Sequence, residues 1–182
     1  MDALKFASGK SWSDYIASIE RNRDRFEAVY RNFFLSEEDI APFRAATPLN
    51  IVAVAEDWCP DVFNTLGIMA KLADAVPGII MRIFERDARP EVMDLYLTDG
   101  KKRIPAFAFY DHNWDKLFHW AGRNKAADEW VNAFRKGRPY DQIPEDEMEA
   151  FRREFDRRYE ESFARGNLME ITDALKTAKS RR

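Results

Sequence analysis

Apolar positions recur with two different periods along this chain, and the change of period divides it into three zones. From Ser11 to about Ala46 the side chains Trp12, Ile16, Ile19, Phe26, Tyr30 and Phe33 step by three, four or a heptad. That is the spacing of a helix face, and two helices are predicted here. Ser11 followed by Asp14, and Ser36 followed by Asp39, have the form of capping boxes, with Glu37, Glu38 and Asp39 favoured by the helix dipole. Pro48 marks the break.

The middle zone alternates strand and helix. Asn50–Ala55 is a short apolar run rich in β-branched residues, as expected of a strand covered on both faces. Pro60 suits the first position of a helix carried on by Leu66, Met69, Ala70, Leu72 and Ala73 and stopped by Val76-Pro77-Gly78. Ile79–Glu85 is a second strand, and Pro90–Leu97 a short helix closed by Thr98-Asp99-Gly100. Ile104–Tyr110 and Lys116–Ala121 are strands joined by the polar turn Asp111–Asp115, and Ala126–Phe134 is helical. A β-α-β unit followed by a hairpin and a helix predicts an α/β fold, a mixed sheet with helices on its faces. After Pro144 one long charged helix is expected, with Phe151, Phe155, Tyr159 and Phe163 repeating every four residues. The expected organisation is an N-terminal helical extension (1–49), a core (50–136) and a C-terminal helical extension (137–182), compact as one domain.

Composition narrows the function. The 182 residues include 29 basic and 32 acidic side chains, a net charge of −3, and 46% hydrophobic residues, enough for a packed core. A pI of about 5.6 argues against nucleic acid held by a broad basic surface. No apolar run approaches the roughly 18 residues of a membrane span, and Met1–Lys10 does not read as a secretory leader. A cytoplasmic protein without membrane or nucleic-acid partners is expected. The single cysteine, Cys59, excludes an internal disulfide and a multi-thiolate zinc site. His112 and His119 lack metal-motif spacing relative to it, so no metal and no cofactor is expected.

Cys59 stands between the first strand and the following helix, in Glu56-Asp57-Trp58-Cys59-Pro60-Asp61. A cysteine at a helix N-terminus faces backbone N–H groups and the positive end of the dipole, which favour the nucleophilic thiolate. The neighbouring carboxylates Glu56, Asp57 and Asp61 oppose that effect by a comparable amount, about 1 kcal/mol each at ~4 Å in water-like surroundings.

An apolar strand, Trp-Cys at a helix start, a second strand followed by Asp87, and Ile104-Pro105 opening a third occur in that order. In this, Asn50 to about Arg123 resembles the thioredoxin-like superfamily, and the loop resembles the subgroup reading Trp-Cys-Gly-Asp or similar. The resemblance implies a mixed sheet flanked by helices, with Cys59 as the reactive thiol, accessible to solvent. Pro105 would be cis beside it, Ile104 would offer backbone groups to an extended substrate, and Trp58, Pro60 and Asp61 would complete the binding surface. The resolving cysteine of a dithiol enzyme is replaced by Val62, and the buried acid six residues before the nucleophile by Ala53. A monothiol redox role follows, its mixed disulfide resolved by glutathione, another small thiol or a second protein. The alternative is a non-catalytic thioredoxin-like binding module using the same groove; a glutathione-conjugating enzyme is a third reading. The Phe151–Phe163 stripe is expected to pack within the chain, with a homodimer through the terminal helices as the other reading.

Overall fold

The computed structural model describes residues 1–181. By contacts the chain forms two compact units, Met1–Gly122 together with the chain from Ile171 onward, and Arg123–Glu170.

The first unit is built on a four-stranded mixed sheet in the order β2-β1-β3-β4: β1 (Leu49–Ala55), β2 (Ile79–Glu85), β3 (Ala106–Tyr110) and β4 (Lys116–Ala121). β1 is central and buried along nearly its whole length, as its unbroken apolar run requires. It pairs parallel with β2, from Leu49↔Ile79 to Ala55↔Glu85, and antiparallel with β3, from Asn50↔Tyr110 to Val54↔Ala106. β3 and β4 form an antiparallel hairpin. β3 is shorter than the predicted Ile104–Tyr110, because Ile104 and Pro105 precede the ladder.

Four helices precede the sheet: α1 (Ala3–Ala7), α2 (Trp12–Ser18), α3 (Arg23–Asn32) and α4 (Glu37–Arg44). Ser11 with Asp14 and Ser36 with Asp39 close complete capping boxes. The zone from Ser11 to Ala46 therefore holds three helices where two are predicted. The continuous periodicity from Trp12 to Phe33 is interrupted at Ile19–Asn22, where Asn22 takes a left-handed conformation with φ 55°. Between β1 and β2 runs α5 (Pro60–Ala75), whose inner face meets α3 at Gly67. A β-carbon there would lie 2.9 Å from both the Phe26 carbonyl oxygen and the Tyr30 nitrogen, so only glycine permits this approach. Phe26 of α3 makes edge contacts to Phe63 of α5 and to Tyr15 of α2. The short helix α6 (Pro90–Met93) continues into a tighter turn at Asp94–Tyr96, where the Tyr96 hydroxyl meets that of Tyr110 at 2.9 Å.

The second unit contains α7 (Lys125–Arg135), α8 (Glu145–Arg158), a π-helical turn at Tyr159–Phe163, and the first residues of α9 (Ala164–Ser180). Within it the aromatic stripe packs on α7: Phe151 stacks on Trp130 and Phe134 at centroid distances of 5.0 and 4.3 Å, and Phe155 and Phe163 also meet Trp130. Asn124 anchors the start of α7. Its Oδ1 accepts from the Ala127 N–H, while its Nδ2 donates to the Phe163 carbonyl and to Asn167 Oδ1.

Candidate functional site

The register of the sheet brings the two halves of the site together. β1 and β3 run antiparallel and end their pairing at Val54↔Ala106, so the loop leaving β1 lies beside the residues entering β3. Cys59 is the N-cap residue of α5 and Pro60 its first residue, as the sequence predicts. The Cys59 Sγ lies 3.9 Å from the Ile104 carbonyl oxygen, and the Ile104–Pro105 peptide bond is cis. Sulfur, helix start and prolyl linkage are thus one local arrangement.

Cys59 is only 8% exposed. The solvent-accessible sulfur implied by the resemblance is therefore corrected to one largely covered by its surroundings, with Ile104 (8%) and Pro105 also buried. Trp58, by contrast, is 41% exposed, and the Arg86 guanidinium sits 4.9 Å from its ring centroid. Pro60 is exposed, while Asp61 is buried at the second position of α5. Val62 and Ala53, at the positions of the missing thiol and the missing acid, are both fully buried apolar residues of the core.

Opposing influences act on the thiol. The helix N-terminus favours the thiolate, but Pro60 supplies no N–H, and the Val62 and Phe63 amides already donate to the Cys59 carbonyl at 3.0 and 3.2 Å. A thiol that donates to the Ile104 carbonyl is favoured in its protonated form, and burial acts in the same direction.

The acids of the loop have structural partners that the sequence does not reveal. Asp57 Oδ2 accepts from the backbone N–H of Glu20 and Arg21 at 3.2 and 3.0 Å, and Asn22 Nδ2 donates to the Asp57 carbonyl at 2.8 Å. The break between α2 and α3 is therefore pinned by the loop that carries Cys59. Glu56 Oε1 accepts from the Asp87 N–H at 2.8 Å; burial raises the Glu56 carboxyl above its ordinary value, and that hydrogen bond pulls in the opposite direction. Glu85 pairs with Lys10 at 2.8 Å. Tyr15 is fully buried close to these acids, and burial first, then the charges of Asp57, Glu56 and Glu85, raises its hydroxyl pKa. Tyr15 and Glu85 are absent from any sequence-based site. No local signal marks them, because the heptad step from Ile19 to Phe26 carries the helical pattern across the break.

His119 lies on β4, where burial and then the charge of Lys116 lower its pKa against a backbone hydrogen bond with Leu97 that raises it. Among the described residues no cluster of three or more histidine, cysteine or acidic side chains is arranged to hold a metal ion. Nor is any described helix long and apolar enough to cross a membrane.

A cysteine capping the helix after the first sheet strand, with a cis-prolyl linkage facing it from the next antiparallel strand, defines a thioredoxin-like site. The sequence pattern of the family described as "Thioredoxin" matches residues 9–136, and the chain belongs to that family. Among solved structures it is similar to a protein of unknown function from Pseudomonas aeruginosa, at 13% identity and a TM-score of 0.68, over 98% of this chain and 99% of that one. It is also similar to an HIV epitope scaffold, at 12% identity and a TM-score of 0.67, over 97% and 99% of the two chains. At such identities the likeness is one of fold. No curated protein matches the sequence.

Proposed function

We propose that this thioredoxin-family protein carries out single-cysteine thiol–disulfide exchange at Cys59. The observation that carries the reading is the position of Sγ at the start of α5, 3.9 Å from the Ile104 carbonyl at the cis-prolyl linkage. The Cys59 thiolate attacks one sulfur of a substrate disulfide, forms the mixed disulfide, and expels the other sulfur as a thiolate that takes up a proton. An external thiolate, from glutathione or a second protein, then attacks the substrate's sulfur in that mixed disulfide. It forms a new substrate disulfide and returns the electron pair to Cys59. Ile104 and Pro105 line the path of the extended substrate, and Trp58, Pro60 and Asp61 flank it. Val62 cannot resolve the intermediate, so the second thiol must come from outside. The reading includes a protein of the cytoplasm with no resident cofactor.

The 8% exposure of Cys59 favours a second reading, a binding module in which the groove recognises a protein without turnover. Two measurements separate them: the alkylation rate of Cys59 near neutral pH relative to the urea-unfolded chain, and mass spectrometry after incubation with oxidised glutathione. Exchange predicts a glutathione adduct lost in Cys59→Ser, and alkylation at least as fast as in the unfolded chain. A native thiol that alkylates more slowly than the unfolded chain and forms no adduct overturns it in favour of the module.

A further inference from the structure

The two edges of the sheet differ. β2 is closed on its outer side by Lys10, which exchanges both backbone bonds with Ile83, at 2.9 and 2.8 Å. β4, at the other edge, has no strand or bridge beside it among the described residues.

The hairpin fixes which groups that open edge presents. The Gly122 N–H donates to the Pro105 carbonyl at 2.8 Å, so these two residues form a hydrogen-bonded pair of the antiparallel ladder. Counting back by two, Trp120 and Phe118 turn their main-chain groups to Phe107 and Phe109, and His119 and Ala121 turn theirs outward. Nothing outside the hairpin bonds to the main chain of His119 or Ala121 among the described residues. An edge strand left in this state is a template for another extended chain.

A second observation lies beside it. A groove of about 410 Å³ separates β4 from the end of α9, lined by Leu117, Phe118, Ala174, Thr177, Ala178 and Arg181. The lining is mostly apolar, carries one cation and holds no carboxylate. Neither Arg181 nor Lys116, the exposed residue that opens β4, has an acidic partner among the described residues. Outward main-chain groups call for a polypeptide, and the two free cations say which kind. A second copy of this chain would bring only the same cations to the edge and leave them unpaired, whereas an acidic segment pairs both.

We propose that the outer edge of β4 is a docking site for an extended, acidic segment of another protein, which adds a strand to the sheet. Its main chain pairs with His119 and Ala121, its apolar side chains enter the groove over Leu117 and Phe118, and its carboxylates meet Arg181 and Lys116. The site is separate from the chemistry of Cys59. Leu117 and Phe118 lie toward the Tyr110 end of the hairpin, and the Cys59 loop faces the Ala106 end.

The test uses the full-length protein and four blocked, fluorescein-labelled octapeptides. Three share a central Val-Thr-Val-Thr run, flanked at each end by two glutamates, two glutamines or two lysines. The fourth is the glutamate peptide with every central backbone nitrogen methylated. Fluorescence anisotropy reads binding, and amide NMR shifts locate it. At low salt the glutamate peptide is expected to bind about fivefold more tightly than the glutamine peptide, with the lysine peptide weakest. Methylation abolishes binding, and the His119 and Ala121 amides shift in the complex. Lys116→Gln combined with Arg181→Gln brings the three affinities to within about twofold of one another. Ala121→Pro removes an outward N–H, spares the ladder to β3, and weakens all three; the methylated peptide makes the same point without touching the protein.

Binding that ignores charge or survives methylation overturns the proposal, as does no binding of any peptide. A dimer in sedimentation velocity that Ala121→Pro dissociates assigns the edge to a second copy and overturns it too. The same peptide preference in Cys59→Ser protein keeps this result distinct from the fate of the exchange reading.

Discussion

Asp57 should act as a tie between the N-terminal helices and the Cys59 loop, and replacing it should loosen both. Its carboxylate accepts two backbone N–H bonds, from Glu20 and Arg21, at 3.2 and 3.0 Å. Both bonds are solvent-exposed, so the released amides can turn to water and no buried donor is stranded. Each is therefore valued at the ordinary net of a hydrogen bond, about 0.5–1.5 kcal/mol, and Asp57→Ala should lose about 1–3 kcal/mol in total. Asp57→Asn keeps a neutral oxygen in the same place and should lose roughly half as much, because only the charge assistance is removed. The bond from Asn22 Nδ2 to the Asp57 carbonyl is main-chain on the acceptor side and survives both substitutions. Urea unfolding gives the stability change, and native-state hydrogen exchange localises it. The Glu20 and Arg21 amides should exchange about tenfold faster in the alanine variant, while amides of β1 change only with global stability. An alanine variant as stable as the parent, with unaltered exchange at Glu20 and Arg21, would falsify the tie.

Gly67→Ala should lower stability by about 1–2 kcal/mol, since overpacking against the α3 backbone outweighs the helix-propensity gain; chemical denaturation measures it, and a stabilised variant refutes the close approach. His119 has a folded pKa depressed by burial below the ordinary 6.5, so the unfolded chain binds its proton first as pH falls. Its contribution to stability is whole above about pH 6.5 and declines as pH drops from there through the folded value; His119→Gln should flatten the stability–pH curve in that window alone. Asn124→Ala removes the α7 cap and the Nδ2 bonds to the Phe163 carbonyl and Asn167 Oδ1, while the backbone N–H of residue 124 still donates to Asn167 Oδ1, for a loss of about 2 kcal/mol by thermal or urea unfolding. A loss below about 1 kcal/mol would show that water replaces those bonds.

Elements whose causes are local are legible in the sequence. β1 shows in Asn50–Ala55 because a strand buried on both faces must be apolar throughout. α5 begins where Pro60 allows and ends at Val76, and both capping boxes close as their Ser-x-x-Asp spacing demands. The break at Ile19–Asn22 is not legible in the same way. The heptad step from Ile19 to Phe26 fits one long helix equally well, and the group that settles the matter, Asp57, lies 36 residues from Arg21. The site divides along the same line. Cys59 and Ile104-Pro105 can be read because a recurrent order of elements carries them. The partners of the loop's acids cannot, since Glu85 comes beside them through the parallel register Ala55↔Glu85 and the Glu20 and Arg21 amides meet Asp57 from across the fold. Nor does the loop sequence foretell the burial of Cys59, because what covers the sulfur comes from distant segments such as Ile104.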